Sequence, residues 1–190
     1  FENTEEYYQL QGREWERYAW IKARAVAGDI AAAENLLQRL KPFIYRRYLD
    51  YGAFDSLRDM KQNISTEVKR KGLENNIKLG PGGIREIEFF GQIFQLIRGG
   101  VTPTLQDQRI LNILDSLAYE KHIEPKTRDE LHASYCFLRN TEHRLQEFSD
   151  QQTHDLPKDP KARLRLAIAM GFDDWASFSA ALEQYTDMAH

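Results

Sequence analysis

The chain has 190 residues, 42% of them apolar and 29% charged, values that fit a folded globular domain and exclude a disordered one. Twenty-six basic side chains against 29 acidic ones leave a net charge of -3, which speaks against a dedicated nucleic-acid surface. Cys136 is the only cysteine, so an internal disulfide and a thiolate zinc cluster are both ruled out, and no apolar run approaches the roughly 20 residues of a membrane span. A cytoplasmic protein is expected, touching neither nucleic acid nor membrane.

Taken in chain order, the first predicted helix runs from Thr4, a potential cap, to about Ala27, where Gly28-Asp29 stops it and starts the next. The second covers Asp29 to about Tyr48, with Pro42 expected to kink or break it. Asp55 is expected to cap a third helix that reaches Lys71 and closes at Gly72. Residues 73–83 are irregular, with Asn76 to Leu79 a candidate extended piece before Gly80-Pro81-Gly82-Gly83. A fourth helix spans Ile84 to Arg98, and Thr104–Glu120, Pro125–Asp150, Pro160–Met170 and Asp174 onward give four more. No hairpin, strand-helix alternation or repeat is visible. The expected class is all-α, one antiparallel helical bundle over residues 1–190 with short helices appended. The opening Phe1 and the uncapped final helix read as cuts through a longer polypeptide.

Several residues sit oddly on this pattern. The glycine turn feeds the fourth helix directly, and unpaired N–H groups at a helix start suit a phosphate, with Lys78 adding charge. No Lys-Ser/Thr pair follows the glycines, so this is no Walker motif, and a plain turn is the bland alternative. At 100° per residue, Arg85, Glu88, Gln92 and Gln95 form a polar stripe, while Glu86 falls among Phe89, Phe90, Ile93 and Ile97. A carboxylate there pairs with a cation, ligates a metal or faces a cavity. Lys22 likewise falls in an apolar face made by Trp15, Tyr18, Ala19 and Ala25; it either snorkels to water or serves a buried anion. Arg139, His143, Gln146 and Asp150 make a further polar stripe, which a solvated helix face explains.

Three separated strings, in order, carry a resemblance. Trp15-Glu-Arg-Tyr-Ala with Lys22-Ala-Arg24, then Lys78-Leu-Gly-Pro-Gly-Gly-Ile-Arg-Glu-Ile-Glu-Phe89 with Gln92, then Glu142-His-Arg-Leu-Gln146 and Asp150-Gln-Gln-Thr-His154, resemble the bacterial glutamine synthetase adenylyltransferase family. The resemblance covers nearly the whole chain and looks like the helical domain of the adenylyl-removing half, the transferring half typically having Asp where Glu86 stands. It implies phosphorolysis of adenylylated glutamine synthetase, with phosphate and ADP or ATP as substrates and Mg²⁺ on carboxylates of a polymerase-β-like core. Those carboxylates lie on a Gly-Ser-Asp-x-Asp motif that this sequence lacks, so by itself the chain is expected to be inactive.

The resemblance further implies phosphate or nucleotide contacts from Lys22, Arg24, Lys78, Gly82, Gly83, Arg85 and Gln92. Glu86 and Glu88 would orient those basic groups or a metal-bound water, and none of these residues is expected to hold a metal directly. Glutamine synthetase is the implied partner, with a PII-type signalling protein as a second. Lys22, the Gly80–Gly83 turn and Glu86 are expected to converge on one cleft. A helical module that docks a protein without contributing to catalysis would share this composition, and would scatter those three features.

Overall fold

The computed structural model describes residues 2–47, 51–73, 75–148, 150 and 152–190. Nine α-helices stand among them: α1 Glu2–Leu10, α2 Glu14–Trp20, α3 Ile30–Ile44, α4 Tyr51–Lys71, α5 Ile84–Arg98, α6 Ile110–Tyr119, α7 Pro125–Glu147, α8 Pro160–Ala169 and α9 Trp175–Ala189. A 3₁₀ turn, Pro103–Gln106, precedes α6. Among the described residues no strand forms, only a single antiparallel bridge between Asn76 and Asp155, so the all-α class holds. No helix among them is long and apolar enough to cross a membrane.

Caps and breakers set most helix ends. Asp29, Asp159 and Asp174 each accept a backbone N–H at the starts of α3, α8 and α9, at 2.9, 2.9 and 2.7 Å. Pro42 lies in the last turn of α3, which ends two residues later. The expected end of that helix at Tyr48 lies outside the described residues, as does Gln151.

Four expected boundaries are corrected. The first predicted helix is two, broken at Gly12, where a Cβ would stand 2.5 Å from the Phe43 ring and 2.8 Å from the Tyr8 carbonyl oxygen. Glu16 then starts α2 by accepting the Arg13 N–H at 2.7 Å. The third helix begins at Tyr51, so Asp55 is an interior residue and not a cap. The stretch from Thr104 breaks at Asp107, whose carboxylate takes the Arg109 N–H and the Asn112 amide, each at 2.7 Å. Of the candidate extended piece, only Asn76 bridges; residues 77–79 are turn.

The chain divides into two compact units, residues 1–62 with 90–116 and residues 63–89 with 117–190. In the first, α1 and α2 pack on α3, and Ile21, Leu36, Leu40, Phe43, Ile44, Tyr45 and Leu96 form the core with Tyr8, Tyr18 and Trp20 against it. In the second, α7, α8 and α9 pack mutually around Leu138, Leu166 and Phe178, with the Phe137 ring stacked on Tyr185 at 4.3 Å.

Burial pushes the Tyr45 phenol up to about 12. Its ordinary value is near 10, so the unfolded chain ionises first and this contribution to stability, whole below pH 10, is lost as pH rises towards 12. Tyr45→Phe should therefore lose up to about 2 kcal/mol less stability than wild type between pH 9 and 11.5. Urea midpoints at the two pH values check this; parallel losses in both proteins would contradict it.

Candidate functional site

Two groups of polar side chains stand out, one in each unit. In the first unit α2 ends at Trp20, so Lys22 stands beyond the helix and is exposed. The expectation that it interrupts an apolar helix face is thereby corrected: Trp15 is 57% exposed, and the residues that α2 buries are Glu16 and Arg17. Lys22 Nζ donates to the Gln108 carbonyl at 2.6 Å, and the Gln108 side chain returns a bond to the Ala23 carbonyl at 2.6 Å. This reciprocal clasp opens a groove of about 690 Å³ lined by Lys22, Arg24, Asp107, Gln108 and Arg109.

Three cations therefore face one carboxylate. Asp107 is tied within its own turn: the bond from Asn112, then that from the Arg109 N–H, holds it below the usual carboxylate range, and the Arg109 guanidinium lies 3.8 Å from it. It stays ionised and offsets Arg109, so Lys22 and Arg24 set the positive charge of the groove. Sequence reasoning misses Arg109, whose one signal is its place beside the break that starts α6.

The polar stripe of α5 is corrected as well. Gln92 and Gln95 are 2% and 1% exposed, more buried than Ile93 and Ile97. Gln95 donates to the carbonyls of Leu105 and Asp107 at 2.9 and 2.8 Å, which holds the 3₁₀ segment and explains an amide in the interior. Gln92 Oε1 is buried without a hydrogen bond among the described residues.

In the second unit the glycine turn is closed upon itself. The N–H groups of Gly80, Gly83, Ile84 and Arg85 donate to the carbonyls of Asn76, Gly80, Ile77 and Lys78 at 2.7–3.1 Å. The Gly82 N–H donates to Glu86 Oε2 at 2.9 Å. The expectation of unpaired N–H groups from Gly82 and Gly83 is thus overturned; glycine is needed there for packing. A Cβ on Gly83 would lie 2.8–2.9 Å from three carbonyl oxygens, and one on Gly82 would run into Thr186 of α9. Glu86, its side chain 20% exposed, ties down the turn and lies 3.3 Å from His190 Nδ1. Glu88 points elsewhere, 3.8 Å from Arg85 and accepting the Tyr135 hydroxyl at 3.4 Å. Burial, then the Glu88 charge, pushes Tyr135 up to about 12.

Beside these lies Glu142, 2% exposed in the buried stripe of α7 with Leu131, Leu138 and Leu145. Lys78 Nζ is 3.4 Å from it, His154 Nδ1 3.0 Å, and Arg139 donates to it from one turn earlier. The loops are brought there by backbone pairing: Ile77 N–H donates to the His154 carbonyl at 3.0 Å, and the Asn76 amide to Asp155 at 2.7 Å. Lys78, Glu142 and His154, drawn from the second and third strings of the sequence, thus meet at one carboxylate. Sequence reasoning misses Glu142 as a candidate, although a signal for it exists. It falls four residues after Leu138 and three before Leu145, within the apolar stripe of its helix. Lys22 belongs to the other unit, so its expected convergence with the turn and Glu86 is not an arrangement within either unit.

Comparison with known proteins places these residues in a family. Residues 58–190 match the family model described as GlnD PII-uridylyltransferase, and residues 1–39 the model described as glutamate-ammonia ligase adenylyltransferase. A bifunctional glutamine synthetase adenylyltransferase/adenylyl-removing enzyme from Nitrosococcus oceani is 57% identical over 97% of this chain and 19% of its own length. Enzymes of the same description from Hahella chejuensis and Pseudomonas syringae pv. tomato are each 53% identical, over 98% and 96% of this chain and 19% and 18% of theirs. The chain spans about a fifth of the length of these relatives.

Proposed function

The chain belongs to the family of the bifunctional glutamine synthetase adenylyltransferase/adenylyl-removing enzymes, and we propose that it supplies phosphate and nucleotide contacts for the removing reaction. In that reaction a phosphate oxygen attacks the phosphorus of the tyrosine-bound AMP, the tyrosine oxygen leaves, and ADP is released. Such chemistry is mostly positioning and charge neutralisation, and the positive groove of Lys22 and Arg24 carries the reading. Within the second unit Lys78 and Arg85 offer charge to an anion or nucleotide, and Glu88 steadies Arg85. Glu86 acts indirectly, by holding the glycine turn in shape.

Mg²⁺ would supply further charge neutralisation at the reacting phosphates. Among the described residues no group of three His, Cys, Asp or Glu side chains is arranged to hold a metal. The residues here do not fit that ion, and its carboxylates are assigned to a catalytic core outside this sequence. Glutamine synthetase as the adenylylated substrate, a PII-type protein as regulator, and a cytoplasmic setting belong to the same proposal.

In the full-length enzyme, Lys22→Ala together with Arg24→Ala should lower deadenylylation about 100-fold, with the circular dichroism spectrum unchanged. Both side chains are exposed, so a loss of fold is not expected. Wild-type rates in the double variant would refute the assignment.

A further inference from the structure

The arrangement around Glu142 goes beyond what pairing a buried carboxylate requires. Arg139, one turn away on the same helix, would suffice as a counter-ion. Instead Lys78 and His154 are also brought in, from loops 64 and 12 residues away in sequence, by a backbone clasp between residues 75–77 and 154–156. These three side chains are not buried with the carboxylate. Glu142 is 2% exposed, whereas Lys78 and Arg139 keep 35% and 36% of their side-chain surface in solvent and His154 23%. An ammonium has three donors and a guanidinium five, so each can hold Glu142 on its inner side and present donors outward. Tyr135, one turn before Arg139, feels the charges of Glu88, Arg139 and Glu142, which places the Arg85–Glu88 pair in the same neighbourhood.

We propose that Glu142 is a positioning residue for an oxyanion site: it aims Lys78, Arg139 and His154 together at a phosphate group, either inorganic phosphate or a nucleotide phosphate. This deepens the functional reading above and rests on it for the identity of the anion. The carboxylate does not touch the ligand. It fixes the rotamers of the side chains that do, so the ordering cost is met on folding and not on binding.

The test uses the full-length enzyme with inorganic phosphate and, separately, ADP, each titrated by calorimetry against wild type, Glu142→Gln, Glu142→Asp and Lys78→Met. Glu142→Gln should weaken one of the two ligands about tenfold or more, Glu142→Asp should restore part of the loss, and Lys78→Met should weaken the same ligand. The affected ligand identifies the source of the phosphate. A folded Glu142→Gln enzyme with both affinities unchanged overturns the proposal. Should that variant not fold, Lys78→Met decides, and unchanged affinities again overturn it. Because binding is read without turnover, an enzyme that binds as expected but removes no AMP retires the functional reading and leaves the site standing.

Discussion

Arg17→Met should destabilise the protein by about 3–5 kcal/mol, although methionine has a similar length and no charge to bury. Arg17 is 2% exposed, and its guanidinium donates to the Ile44 carbonyl at 3.1 Å, the Leu96 carbonyl at 3.3 Å and Glu14 at 2.6 Å. Ile44 is the last residue of α3, and Leu96 lies in the last turn of α5, where helix carbonyls lack intrahelical donors. One side chain therefore caps two helix ends within the core of the first unit. Burial lowers the pKa of Arg17 without discharging it. Removing the guanidinium leaves two buried carbonyls unpaired at roughly 1–3 kcal/mol each, while Glu14, 34% exposed, returns to water and Arg46. Chemical denaturation of the variant checks this; a loss under about 1 kcal/mol would show that the carbonyls find other donors.

Gly82→Ala should cost about 3 kcal/mol or more, for two reasons that add. The residue has φ +64, a left-handed conformation that a side chain adopts only under strain. Its new Cβ would also collide with the carbonyl of Thr186, backbone that has no rotamer by which to move aside. Gly72→Ala is the control: φ is +62 there, but among the described residues nothing lies within 4 Å of the added Cβ. That variant should lose only the conformational part, about 1 kcal/mol. Equal losses at both positions would show that contact with α9 is unimportant.

The fold was legible wherever a local signal decided it. Helices start at Asp29 and Asp174 as expected, each with that aspartate as its cap, Pro160 starts α8, and α5 runs from Ile84 to Arg98 between two glycine turns, because caps, prolines and glycines act on their own neighbours. Gly12, in the break between α1 and α2, has no room for a side chain because Phe43 approaches from α3, a contact the local sequence does not carry. At the site, Lys22 and Arg24 line one groove, and Glu86 and Glu88 have different partners, as their spacing on a helix requires. Lys22 does not interrupt an apolar helix face, because α2 stops at Trp20. The same test of a charge among apolar positions, applied to α7, singles out Glu142 between Leu138 and Leu145.

Steady-state deadenylylation by the full-length enzyme distinguishes phosphate handling by this helical chain from passive docking when phosphate and adenylylated glutamine synthetase are varied separately, for wild type and Lys22→Ala/Arg24→Ala. If the chain handles phosphate, kcat/KM for phosphate falls about 100-fold while KM for glutamine synthetase stays within about twofold. A rise confined to KM for glutamine synthetase, with phosphate kinetics unchanged, would contradict phosphate handling and assign the groove to protein docking.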